Sequence, residues 1–329
     1  MSRFSVVVPL LGKPALFEDT LASVLRYRCP ASQIIVAHAD AYEDPYGLGK
    51  EVDFVEVKSQ SPTSAVSLIQ LFNAASRVAR GEIVAMIRPG VQLNENWDGL
   101  VAAAFADPNV GCVAPAVVSS KMTNRLVVAG VTASSSFNRR LVGSNQRLGA
   151  RQVTGLKPLG PTSWAAFYRR TLLSALGEFD EQLDPLYLDL DLALSLQTLN
   201  FGCKFHPDCV VTVTDADAIE TESTLAHGRS AQRAVVRYAD YSRSYQRMKL
   251  WQAVLAELAV SPWRHNNLLH AWQRLSATKF QSVDEHHRSL LAVLKKQRPR
   301  LIGLQSKHDE APVSLVRPGN LRQPAKRAA

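Results

Sequence analysis

Few residues of this 329-residue chain carry chemistry in a readable arrangement. Asp189 and Asp191 stand two apart in Tyr187-Leu-Asp-Leu-Asp-Leu192, where a helix is expected from about Leu188 to Leu199. Carboxylates at a helix start cap exposed N–H groups and complement the dipole, contributing about 0.5–1 kcal/mol. Arg88 follows the apolar run Glu82–Ile87. Its guanidinium reads either as a solvated loop cation or as a bidentate partner for a diphosphate. Trp164, after Pro161-Thr-Ser, suits core packing. His227 is a lone imidazole, a type more often found in a core or on a surface than on a metal. Cys29, Cys112, Cys203 and Cys209 are scattered with no CxxC spacing, as expected of reduced core residues.

The elements that must hold these residues are an alternation of strands and helices. Phe4–Leu11, Gln33–His38, Val52–Val57 and Glu82–Ile87 read as strands, the first an unbroken apolar run suited to burial on both faces. Helices are expected from Pro14 to about Tyr27, with Pro at the first helical position, and from Ser61-Pro62 to about Ala79. Such β-α-β units imply a Rossmann-like, mostly parallel mixed sheet with helices on both faces. Its ligands sit beyond the C-terminal ends of the strands. That rule singles out Pro9 after Val8, His38 and Asp40 after Val36, and Arg88 after Met86. Further on, Val110–Val118, Arg125–Val131 and Cys209–Val213 read as strands, Ser134–Gly149 as a polar loop or hairpin, and Arg169–Leu176 as a helix.

The charge is uneven. Residues 229–329 hold 19 Lys and Arg against 6 Asp and Glu, so a strongly basic end follows a mildly acidic body. The expected organisation is a domain over 1–222, a basic helical extension over 223–298 and a disordered tail over 299–329. No run of 18 apolar residues could span a membrane, and the first residues are too short and strand-like for a signal peptide, so a cytoplasmic location is expected. The amphipathic stretch Met248–Val260 suits packing on the domain or a partner subunit first. Peripheral contact with a cytosolic membrane face is the second reading. Nucleic acid comes third, because no recognised module accompanies the charge.

Several segments, in order, resemble family-2 glycosyltransferases. Ser5-Val-Val-Val-Pro9 with Asp19-Thr-Leu-Ala-Ser-Val-Leu25 is similar to that family's first strand and helix, and Ile34-Ile-Val36 to its second strand. Asn73-Ala-Ala with Ala79-Arg-Gly81-Glu82-Ile83, Phe167-Tyr-Arg-Arg170 with Leu176-Gly-Glu-Phe-Asp180, and Tyr187–Leu192 match later blocks. The resemblance covers about residues 4–214. It implies a GT-A type fold, a nucleotide-sugar donor, a glycan, lipid or protein acceptor, and glycosyl transfer with inversion. It also implies Asp189 as general base, Asp191 and Trp164 at the substrate, and an acidic contact to the base after strand two. In the family a divalent Mg²⁺ or Mn²⁺ ion, held by an acidic pair after strand four, balances the charge of the leaving diphosphate. Here that place reads Ile87-Arg88-Pro89-Gly90-Val91, so Arg88 stands where the acids would be, and the His227-Gly-Arg-Ser230 run resembles an element whose imidazole can reach the metal. After strand two the usual acidic pair is His38-Ala39, with Asp40 following, and Leu188 and Ser195 replace a Glu and an Arg of the last block. Two functions are therefore expected: a glycosyltransferase with an altered donor site, or a non-catalytic relative that binds or scaffolds.

Overall fold

The structure, a computed structural model, describes residues 3–29, 31–39, 42, 44–58, 65–134, 137–177, 179–215, 228–238, 251–252, 254–255, 265–277 and 281–303. Strands β1 (Phe4–Pro9), β2 (Gln33–His38), β3 (Asp53–Glu56) and β4 (Ile83–Ile87) are linked through helices α1 (Pro14–Arg26) and α2 (Leu68–Val78). There follow β5 (Val91–Leu93), α3 (Trp97–Ala104), β6 (Val110–Ser119), β7 (Met122–Val128), β8 (Gly130–Ala133), β9 (Arg139–Val142) and the single turn α4 (Arg151–Thr154). Next come β10 (Ala165–Arg169), α5 (Arg170–Leu176), α6 (Leu188–Thr198) and β11 (Gly202–Val213). The C-terminal helices are α7 (Gly228–Tyr238), α8 (His265–Ser276), α9 (Gln281–Lys296) and α10 (Arg298–Gly303).

The main sheet runs β3-β2-β1-β4-β10-β6-β11-β5, with β7 on β6. β1 to β4 are mutually parallel, as the β-α-β pattern requires, whereas β10 lies antiparallel between β4 and β6. Successive residues of β1 face opposite sides: Phe4, Val6 and Val8 join one core with Phe17, Leu21 and Trp97, while Val7 joins another with Ile69, Phe72 and Leu172. The sheet curls back on itself at α1. Gly90 N–H donates to Leu16 O (3.1 Å) and Thr20 Oγ1 (2.9 Å), and Leu93 N–H to Ser23 Oγ (3.2 Å), so the β5 edge returns to the helix that packs on β1.

Local features of the chain have identifiable causes. α2 begins at Leu68 rather than Pro62 because Ser67 and Gln70 form a reciprocal capping box. Gly81 has to be glycine, since a Cβ there would lie 2.4 Å from the Phe4 carbonyl carbon. Ala165–Arg169 is a strand, held by Phe167 opposite both Ala85 and Val113. Of the expected 134–149 loop or hairpin, only Arg139–Val142 is strand, as β9, and it pairs antiparallel with β8, which lies before that region. Residues 298–303 are helical, so order extends past Pro299 before the described residues end. The C-terminal helices share the domain's core, with Leu291 and Leu294 of α9 packed in the cluster that holds Phe72 and Leu188.

Candidate active site

Register alone gathers four of the expected residues at one end of the sheet. Pro9 pairs with Ala37, Val7 with Met86, and Ala165 with Ile87, so Pro9, His38, Arg88 and Trp164 stand at neighbouring strand ends. Arg88 N–H donates to Trp164 O at 2.9 Å, and the guanidinium carbon lies 4.2 Å from the centre of the Trp164 ring. A cation over an indole face is held by the ring's quadrupole, which fixes where the guanidinium stands. The turn that follows is tied down by Gly90 at φ +88°, with Val91 N–H donating to Arg88 O at 3.1 Å. Trp164 is buried, as core packing would have it, and its ring also carries the Arg88 guanidinium.

His38 is buried at the end of β2, its ring 5.9 Å from Tyr42 and 6.4 Å from Phe54, while Tyr42 stacks on Phe54 at 5.2 Å. This aromatic group beside Pro9 escaped the sequence reading. An aromatic a few residues beyond an apolar strand was the only signal for Tyr42, and Phe54 looked like ordinary strand. Burial pushes the Tyr42 phenol up, with Asp44 adding to the effect. Asp40 and His227 lie outside the described residues.

The two acids of Tyr187–Leu192 are spoken for. Asp189 accepts from Arg139 Nε at 2.8 Å and Arg139 Nη2 at 2.7 Å, and from Ser163 N–H at 3.1 Å. The side chains of Arg139 and Asp189 are 2% and 0% exposed. Because Ser163 precedes Trp164, this sealed ion pair abuts the residue that carries Arg88. Neither acid caps α6, whose N-cap is Tyr187 without a side-chain cap bond. A long-range guanidinium offers a buried carboxylate two charged donors, which outweighs one helix N–H.

Asp191 faces the C-terminal helices. It accepts from Arg237 Nη1 at 3.1 and 3.2 Å and from the Tyr238 hydroxyl at 2.6 Å. Arg237 also donates to Asp284 at 2.7 Å and to Asp180, and Arg233 binds Asp180 at 2.5 Å and Asp284 at 2.8 Å. Burial works against the charge on Asp180, but Arg233, the Gln182 N–H and Arg237 hold its carboxyl below the usual range. Ser195 contacts Tyr238 at 2.9 Å and His287 at 3.3 Å. Asp180 and Asp191 therefore bind α7 to the domain, and Asp284 of α9 joins them through Arg233 and Arg237.

Burial keeps the His287 imidazole below its ordinary range; Arg237 adds to this, while Asp191, Asp284 and Asp180 pull the other way. An imidazole kept neutral in the fold takes up its proton more readily once the chain unfolds. Its stabilising contribution is thus complete above the ordinary pKa of about 6.5 and lost as pH falls below it. The thermal midpoint should fall from about pH 7.5 to about pH 5.5, and less steeply in His287→Gln; equal slopes for the two proteins would remove His287 from the account.

Among the described residues, the donors at this edge do not fit a divalent cation. Among the described residues no three His, Cys, Asp or Glu side chains converge as a metal site. The turn Arg88-Pro89-Gly90 offers a cation where a hard metal needs carboxylate oxygens.

No family model matches the sequence, and no curated protein matches it. Solved structures do resemble the chain. The structure of GalNAc-T7 with UDP, GalNAc and Mn²⁺ superposes with a TM-score of 0.56 at 14% identity, over 84% of this chain and 54% of that one. S. aureus TarS 1-349 gives a TM-score of 0.49 at 13% identity, over 95% of each chain. The chain thus spans about half the length of the GalNAc-T7 chain. With its curled mixed sheet and helices on both faces, this protein has a GT-A type fold.

Proposed function

We propose that the protein binds a nucleoside-diphosphate sugar at the C-terminal edge of β1, β2 and β4 and transfers its sugar to a hydroxyl acceptor. The observation that carries this reading is Arg88, seated on Trp164 at 4.2 Å at the strand end where α/β sheets take ligands. There the guanidinium pairs with the diphosphate and stabilises the charge that develops as the sugar–oxygen bond breaks, the task a divalent ion performs in metal-dependent transferases. Pro9 and the His38, Tyr42 and Phe54 rings form the wall for the nucleoside. Asp189 serves as the base once Arg139 turns aside, since a carboxylate locked by two guanidinium bonds has to exchange a partner before it accepts a proton.

A second reading, a non-catalytic nucleotide-sugar binder, is favoured by that same closed Arg139–Asp189 pair. Calorimetric titration with a panel of nucleotide sugars, with Mn²⁺ and with EDTA, tests the first part. One nucleoside diphosphate should bind in EDTA, and Arg88→Ala should weaken it about 10- to 100-fold, the worth of a charged bidentate contact, while the parent nucleoside binds unchanged. Silence across the panel would sink both readings. Binding without release of free nucleoside diphosphate in the presence of acceptors would favour the second.

A further inference from the structure

We propose that the exposed side chains Trp251 and Leu255, with Trp272 of α8, dock on an anionic lipid bilayer, lying on the surface without crossing it. Val254 is buried against Ala271 and Leu275 of α8, which joins these two segments into one small apolar cluster. Around that cluster three large side chains point into solvent: Trp251 is 56% exposed, Leu255 61% and Trp272 70%. Trp251 and Leu255 are four residues apart and so share a helix face, and Trp272 directly follows the buried Ala271. Two indoles and a leucine bordering one packed cluster are unusual on a surface that faces only water. Tryptophan, with an apolar body and a polar N–H, suits the headgroup level of a bilayer.

The charge chooses the occupant. Arg243, Arg247 and Lys249 immediately precede Trp251 in sequence, and Arg264 and Lys279 flank α8. Residues 229–329 as a whole carry 19 basic against 6 acidic side chains, an excess that remains large after the buried Arg233, Arg237 and Arg274 are set aside. Two copies of so basic a segment would repel each other, whereas anionic phospholipid attracts it. Among the described residues no helix is long and apolar enough to cross a membrane, so the contact is interfacial. This inference stands apart from the donor site and would survive its failure.

The test is flotation of the full chain with vesicles of phosphatidylcholine alone or with about a third phosphatidylglycerol. The mixed vesicles should bind at least about 10-fold more protein, the excess should vanish in about 0.5 M salt, and tryptophan emission should shift to the blue. The variant Trp251→Ala/Leu255→Ser/Trp272→Ala removes only exposed side chains. It should keep its circular dichroism and thermal midpoint yet bind about 10-fold less well, as should Arg243→Glu/Arg247→Glu/Lys249→Glu. Absence of binding to the mixed vesicles would overturn the proposal, as would binding that the first variant leaves intact. A dimer seen by light scattering and lost in that variant would overturn it in favour of a second copy, and an RNA oligonucleotide affinity lost there without vesicle binding would overturn it in favour of nucleic acid.

Discussion

Arg237→Ala should destabilise the protein by about 3–5 kcal/mol, seen as a large drop in the urea midpoint. Arg237 is fully buried and bonds three carboxylates, those of Asp180, Asp191 and Asp284. Removing it leaves those acids largely desolvated, with Arg233 on Asp180 and Asp284 and the neutral Tyr238 hydroxyl on Asp191. Burial opposes the charge on Arg237, yet Asp191, Tyr238 and Asp284 push its proton affinity above the ordinary guanidinium range, so it cannot escape by neutralising. Lysine should not rescue it, because one ammonium cannot reach three acids with the geometry of a fork. Arg28→Ala supplies the contrast. Its bond to Glu51 is short at 2.6 Å, but the two side chains are 44% and 49% exposed, so that pair should be worth less than about 1 kcal/mol. A midpoint for Arg237→Ala as mild as that of Arg28→Ala would mean that the C-terminal helices are held by their apolar contacts alone.

Asp189→Asn should also cost about 3–5 kcal/mol, because the amide cannot balance Arg139 in a space closed to solvent. Loss of activity in that variant would therefore say little by itself. The informative protein is Arg139→Met/Asp189→Leu, which replaces the buried pair by apolar groups and should recover most of the stability. If Asp189 is the base, this double variant stays folded, binds the nucleotide as tightly as the parent and transfers no sugar. Retained transfer would return Asp189 to a purely structural role. Comparing unfolding midpoints with nucleotide affinity for the single and double variants separates the two roles, which share one carboxylate.

The chain's own order of residues revealed the strands that are buried on both faces, because an unbroken apolar run such as Phe4–Pro9 has few other homes. It also put Pro9, His38 and Arg88 at one end of the sheet, since parallel strands with helical returns bring their C-terminal ends together. Short elements escaped it. Val91–Leu93 and Ala165–Arg169 hold too few residues for a period to show, and both are strands because a neighbour pairs with them. The fate of the acids was hidden more deeply. Asp189 lies 50 positions from Arg139, and Asp191 lies 46 from Arg237. Spacing near an aspartate reports the helix it begins, where the available partners are N–H groups a turn away. Which cation meets it in the interior depends on packing that brings distant segments together and excludes water. Once water is gone, a charged donor at hydrogen-bond distance outweighs any local cap, and that choice is made only by the folded chain.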